Sequence, residues 1–346
     1  MMIWEVYQRD FTKAALEVGH SERYIEKNLK RAYRLYLQDI PIIYDQQHLS
    51  YLVGYDIEYL TKVSNSQRNF YRYFNIPKKN GGIRGIAEPL PNLKDIQRWI
   101  LEEILYNCDT SEYAKAYRKN ISLKENAKFH RGQKKVLTID IEDFFGSIKH
   151  SSVYDLYVSL GYSPDVATML TNICTLKGSL PQGAVTSPSL SNLLMKNIDK
   201  RIAAFSKKNK IRYTRYADDL TFSGDFNIGK VIRVVSKILT SQGFKVNSGK
   251  TRVRFPHQRQ EVTGIVVNQK LQAPSQMRKE LRKNIYYIKK YGLDSHLQFI
   301  QKDKHQFLKH LLGIANHIVF INPSDKETSE YLKYLKELWK NEANNF

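Results

Sequence analysis

Cysteine is nearly absent: the 346 residues include only Cys108 and Cys174, far apart and in no metal-ligand spacing. That excludes a disulfide-framed secreted domain and a cysteine-bound zinc site, and it fits thiols kept reduced in a cytoplasm. Long apolar runs are missing too. No stretch approaches the roughly 20 residues of a membrane span, and residues 1–17 are amphipathic without a signal-type apolar core, so a soluble, cytoplasmic protein with no membrane partner is expected. There is no internal repeat and no low-complexity tract. Acids are scarce beside bases: 34 Asp and Glu face 55 Lys and Arg, leaving a net charge of +21 and a pI near 9.7. A polyanionic partner explains such a charge, because each Lys or Arg near a phosphate releases condensed counterions. What is present is globular in character, with 42% hydrophobic and 26% charged residues. The 23 Tyr add flat faces for stacking unpaired bases.

Along the chain, Ser21 is placed to cap a helix in which Ile25, Leu29, Ala32 and Tyr36 recur at helical spacing, and residues 1–65 read as a helical extension. Residues 69–87 change to a strand pattern around Asn80-Gly81, a hairpin signal because both turn residues tolerate positive φ. An amphipathic helix is predicted over residues 93–106. A β-branched strand follows over residues 134–141, then helices opened by Ser152 and by Ser163-Pro164. Residues 211–223 alternate around a tight acidic turn and predict a second hairpin. A helix over residues 231–242, extended segments at 244–255 and 261–268, and helices beyond Pro274 complete the pattern, with breaks near Gly292 and Asn322-Pro323. That order describes an α+β fold, a sheet layer with helices packed on it.

Two segments place carboxylates at the ends of apolar strands in this basic chain: Leu137-Thr138-Ile139-Asp140-Ile141-Glu142 and Arg215-Tyr216-Ala217-Asp218-Asp219-Leu220. Adjacent carboxylates repel, and burial makes that worse unless a cation is present. A hard divalent ion with oxygen ligands relieves it, and Mg2+ takes one or two carboxylates together with substrate phosphates. Two such ions can activate an attacking hydroxyl and stabilise a leaving oxygen, the chemistry of nucleotidyl transfer. A solvated acidic turn is the bland alternative for Asp218-Asp219 taken alone.

Tyr216-Ala217-Asp218-Asp219 resembles the catalytic hairpin of reverse transcriptases, and Asp140 falls in the place of that family's first catalytic strand. Between them, Leu180-Pro181-Gln182-Gly183-Ala184-Val185-Thr186-Ser187-Pro188 is similar to the family's Pro-Gln-Gly…Ser-Pro segment. Asn126-Ala127-Lys128-Phe129-His130 and Val262-Thr263-Gly264 resemble two elements of the bacterial retron branch.

The resemblance spans residues 69–268 and implies a right-hand polymerase: helical extension 1–65, fingers and palm 66–270, and a helical, basic thumb 271–346. It implies that Asp140, Asp218 and Asp219 are catalytic and hold two Mg2+ ions, with help from the Ile141 carbonyl. It further implies that Lys78, Arg84, Phe145, Gln182 and Lys250 bind the incoming deoxynucleoside triphosphate, Phe145 excluding a 2′-hydroxyl and Lys250 lying near the pyrophosphate. Asn126, His130, Val262, Thr263 and Gly264 are expected to bind RNA. So are Arg278, Arg282 and Lys289, which share one helix stripe among interleaved tyrosines. The implied partners are a structured non-coding RNA, its branched RNA–DNA product and an effector (toxin) protein in phage defence. Residues beyond the palm are too few for a ribonuclease H domain. The competing readings are another defence-associated or group II-like reverse transcriptase, a polymerase making RNA, or a catalytically weak RNA-binding scaffold.

Overall fold

The computed structural model describes residues 3–78 and 81–343. Lys79 and Asn80, the latter in the expected hairpin turn, lie outside the described residues. Two compact units divide the chain. One takes the chain up to Arg118 with Ile141–Ala203 and Arg233–Asn247; the other takes Lys119–Asp140, Ala204–Ile232 and the chain from Ser248 onward.

The first unit opens with helices Trp4–Glu17, Glu22–Tyr36, Gln46–Val53 and Ile57–Asn65. Ser21 caps the second by accepting from the Tyr24 amide, as its sequence position suggests. Strands β1 (Tyr71–Pro77) and β2 (Ile83–Pro89) then pair antiparallel, with Pro77 opposite Ile83. The helix expected over residues 93–106 holds α geometry only over Pro91–Trp99. It widens to a π turn at Ile100–Ile104 and tightens to a 3-10 turn at Leu105–Asn107. His150–Leu160 begins two residues before Ser152, whereas Pro164–Cys174 is capped by Ser163 as expected. Two further helices, Ser187–Leu194 and Lys196–Lys208, fill a stretch with no helical signal in the sequence reading. Both cysteines are free, and burial pushes the Cys174 and Cys108 thiols up to about 11.

The second unit is organised on a four-stranded sheet of β3 (Lys135–Glu142), β4 (Arg212–Tyr216), β5 (Asp219–Gly224) and β6 (Lys245–Arg254), in the order β4-β5-β3-β6. Residues 141–142 and 245–247, at the ends of two of these strands, are assigned to the first unit. A second small hairpin, β7 (Glu261–Val262) and β8 (Ile265–Val266), precedes helices Ser275–Tyr291, Leu293–Ile300, Lys304–Ile321 and Lys326–Ala343. The break at Gly292 is where the sequence places it, and another falls at Gln301, whose φ of 52° ends Leu293–Ile300. The hairpin is part of the foundation of these helices. Val262, Ile265 and Val267 pack in one apolar core with Ala127, Val136, Leu281, Ile285, Leu308 and Leu311. Among the described residues, no helix is long and apolar enough to cross a membrane.

Candidate active site

Register brings the acids together. In the antiparallel pairing of β3 with β5, Asp140 stands opposite Asp219. The β4–β5 hairpin pairs Tyr216 with Asp219, so Ala217 and Asp218 form a two-residue turn. Such a turn demands positive φ, and Ala217 adopts 56° without being glycine. The strain, about 1–3 kcal/mol for such residues, is held in place from below. Arg215 is fully buried, and its guanidinium donates to the Ala217 carbonyl at 3.1 Å.

The electrostatics match the geometry. Burial, then the charges of Asp218 and Asp140, push the Asp219 carboxyl from 3.8 up to about 7, and Lys250 opposes the rise. The Lys250 ammonium donates to both oxygens of the buried Asp140 carboxylate, at 3.1 and 3.0 Å. Carboxylates in mutual repulsion, one already drawing an ammonium, are a donor set that suits a hard divalent cation. Among the described residues no three acidic, histidine or cysteine side chains converge as a ready-made metal centre. That is compatible with Mg2+, which completes its shell with substrate phosphates and water rather than an all-protein cage. Asp140, Asp218 and Asp219 are the carboxylates that could hold a divalent cation here.

Behind this hairpin lies a second polar group. His130 is fully buried at the end of helix Leu123–Phe129, with Nδ1 2.7 Å from Ser223 Oγ on β5 and Nε2 2.8 Å from Thr214 Oγ1 on β4. Thr214 donates onward to Asn126 Oδ1 at 2.6 Å. Its hydroxyl hydrogen is thereby used, so it accepts from His130 Nε2–H, and Nδ1 accepts from Ser223. Asn126 and His130, four apart, thus bridge both strands that carry the acidic turn. The structure buries the two residues expected to touch RNA, because their polar atoms face the sheet. Val262 is buried in the apolar core, while Thr263 at φ 48° and Gly264 at φ 81° make the two-residue turn of β7–β8. Val262 is thus packed away from solvent, while Thr263 and Gly264 serve the turn.

The first unit holds the remaining nucleotide candidates. Lys78 and Arg84 are exposed on the β1–β2 hairpin. Gln182 is exposed, and its carbonyl accepts from the Ala87 amide at 2.9 Å. Gly183 has φ 126°, and a Cβ there would sit 2.6 Å from the Ala87 carbonyl oxygen, so only glycine permits this approach. Gln97 went unnoticed in the sequence. Fully buried, it donates to the Ile173 carbonyl and the Tyr71 hydroxyl and accepts from the Val185 amide, tying β1 to the Pro-Gln-Gly segment. A lone glutamine in an amphipathic helix carries no sequence signal of that role. Phe145 is half-buried against Phe144, which packs on Phe244, and the preceding Ile141 is buried.

The basic stripe expected on Ser275–Tyr291 is already engaged. Arg282 makes two hydrogen bonds to the Glu327 carboxylate, at 2.9 and 2.7 Å, and Arg278 pairs with Asp325 at 3.5 Å. Lys289 lies over the rings of Tyr331 and Tyr334. The facing partners are in or next to Lys326–Ala343, and Glu327 lies 45 residues from Arg282 in the chain, beyond the reach of any local pattern.

Residues 76–308 match the family of reverse transcriptases, RNA-dependent DNA polymerases. The chain is 34% identical over 262 residues to the retron Ec86 reverse transcriptase of Escherichia coli, covering 74% of this chain and 82% of that one. The chain belongs to the retron reverse transcriptases. Another member, the retron Mx65 enzyme of Myxococcus xanthus, is 32% identical over 277 residues, 74% of this chain and 62% of its own length. Among solved structures, Candida albicans telomerase with a fragment of telomeric RNA superposes with a TM-score of 0.46 at 14% identity, over 80% of this chain and 64% of that one. As a retron reverse transcriptase, the chain is an RNA-directed DNA polymerase of right-hand α+β fold, metal-dependent and RNA-templated.

Proposed function

We propose that the enzyme copies a structured non-coding RNA, which serves as both primer and template, into a linked RNA–DNA product, and that it does so in phage defence beside an effector protein. Similarity to named retron enzymes supports the retron part of this reading. The observation that carries the chemistry is the gathering of Asp140, Asp218 and Asp219 on facing strand ends, with the proton affinity of Asp219 raised by burial and then by its acidic neighbours. An RNA-binding scaffold has no use for clustered like charges that cost stability, which disfavours that alternative.

In each addition a sugar hydroxyl, first a 2′-hydroxyl of the RNA and then the 3′-hydroxyl of the growing DNA, loses its proton and attacks the α-phosphate of a deoxynucleoside triphosphate, and pyrophosphate leaves. Two Mg2+ ions, when bound, would supply the charge that activates the hydroxyl and stabilises the leaving oxygen. Asp140, Asp218 and Asp219 would hold them, with the Ile141 carbonyl as an added oxygen donor. Lys250, now on Asp140, is assigned to the pyrophosphate. Lys78 and Arg84 neutralise the triphosphate, Gln182 lines the nucleotide, and Phe145 excludes the 2′-hydroxyl. The parts are assigned as extension 1–65, fingers and palm 66–270, and thumb 271–346.

Asp218→Asn is expected to abolish labelled DNA synthesis on an RNA template, a loss of at least about 10²-fold, while circular dichroism and RNA binding persist. Normal synthesis by that variant sinks the assignment. Run with ribonucleotides, the same assay tests the gate: Phe145→Ala is expected to incorporate them, and unchanged discrimination places the gate elsewhere.

A further inference from the structure

Helices Ser275–Tyr291 and Leu293–Ile300 enclose a cavity of about 610 Å3. Its wall is aromatic, with Tyr287, Tyr291 and Phe299, and its polar groups include Lys283, Asn284 and His296. Tyr287 stacks on both Tyr291 and the buried His296 ring. Phe299 is 86% exposed, so its ring is open to a stacking partner.

We propose that this cavity receives an unpaired base of the RNA, stacked on Tyr291 and Phe299 with its phosphate beside Lys283. This deepens the function proposed above and rests on it. Charge selects RNA over an apolar protein segment. Lys279, Lys283 and Lys290 are all exposed on the helix that forms one wall, at spacings that share a face with Tyr286 and Tyr287. Glu280, the acid in the wall, is occupied by His310 Nε2 at 3.0 Å. Lys290 lies over both Tyr286 and Tyr291, so the cationic row and the aromatic wall are continuous. Flat rings beside a cationic row are what a single strand needs: stacking for the base, charge for the backbone.

The polar groups of the wall are set for hydrogen bonding with a neutral edge. Asn284 Nδ2 donates to the Glu280 carbonyl at 2.9 Å, which turns Oδ1 toward His296 Nε2 at 3.1 Å. His296 Nε2 therefore carries the hydrogen and Nδ1 is an acceptor. Burial, and then Lys283, hold this imidazole in its neutral form by lowering its proton affinity.

The test uses the full-length protein, a hairpin RNA with 2-aminopurine in its loop, and a blunt RNA duplex of equal length. The parent is expected to bind the hairpin more tightly than the duplex, with loop fluorescence altered by stacking. Phe299→Ala and Tyr291→Ala, both at exposed positions, should each weaken hairpin binding by about five- to 150-fold, the worth of one stacked base. Phe299→Trp should retain it, which separates stacking from a folding defect. If the alanine variants bind the hairpin as the parent does with the same fluorescence, the cavity serves a protein or another ligand and the proposal is overturned. Equal loss in Phe299→Trp and Phe299→Ala overturns stacking as well. Extension of a primer on a generic RNA template by the parent is measured in parallel. Failure there with hairpin binding intact would sink the polymerase reading alone; extension with an indifferent cavity would sink this one alone.

Discussion

At the scale of single residues, the Ala217-Asp218 turn and its flanks combine a positive φ on alanine, a buried guanidinium bonded to the turn carbonyl, and an acid whose proton affinity is raised. The backbone strain and the raised acid cost stability, and under the proposed function they set charge where phosphates and cations arrive. The raised carboxyl makes the cost measurable. In the folded, metal-free protein Asp219 ionises at about 7 rather than 3.8, because burial and two neighbouring carboxylates disfavour its anion. A group whose folded pKa is raised contributes fully below its unfolded value and loses that contribution as pH rises through the folded one. The parent in chelator should therefore lose stability between about pH 4 and pH 7 relative to Asp219→Asn, which is neutral throughout. Above pH 7 the variant should be the more stable, by at most about 4 kcal/mol. Urea unfolding of both proteins at pH 5 and pH 8 reads this directly. A difference that does not grow with pH would mean Asp219 titrates as an ordinary carboxylate. Added Mg2+ should narrow the gap at pH 8, since the cation favours the anionic form.

At the scale of elements, helix Leu123–Phe129 and its terminal His130 work as a latch on the β4–β5 hairpin. Removing the imidazole leaves the buried hydroxyls of Thr214 and Ser223 without the partner that joins them. His130→Ala is expected to cost about 2–4 kcal/mol in urea unfolding, the penalty of two buried polar groups plus a small cavity. It should slow DNA synthesis while the folded fraction binds RNA as the parent does. Weakened RNA binding by folded His130→Ala would instead restore direct contact. The same helix shows what was legible in sequence. Asn126 and His130 were visible as a motif, and so were the acidic strand ends, because strand alternation and a two-residue turn leave local marks. What the motif touches was not visible, since Thr214 and Ser223 lie far away in the chain. Ser187–Leu194 was missed for a related reason. Its serines and asparagine have weak helix propensity, yet Ser187 donates to the Pro181 carbonyl and Asn192 to that of Ala116, so tertiary acceptors satisfy what local propensity does not. Ser152 failed as a helix start because the chain enters at His150 through Lys149, with no side-chain cap at all.

At the scale of the whole molecule, a charge of +21 is too coarse to say which cations meet a polyanion. The structure sorts them by what they already hold. Arg278 and Arg282 are paired with Asp325 and Glu327, and Lys289 sits on two tyrosine rings. Breaking such pairs to reach phosphate exchanges one ionic contact for another, so little counterion release is gained. Lys279 and Lys283 present exposed side chains on the same helix, whereas Lys290 lies over the Tyr286 and Tyr291 rings. Replacing Lys279 and Lys283 with Gln should flatten the slope of log affinity against log salt by about 1.4 to 1.8, since each phosphate contact contributes about 0.7 to 0.9. The triple change of Arg278, Arg282 and Lys289 to Gln should leave the slope nearly unchanged and act mainly on the stability of the packing between Ser275–Tyr291 and Lys326–Ala343. Filter binding of one hairpin RNA over a salt series, with thermal unfolding of each variant, separates the two outcomes. If the arginine set flattens the slope and the lysine set does not, Glu327 and Asp325 must yield their partners to RNA, and the helix that carries Glu327 would be displaced by the nucleic acid it now shields.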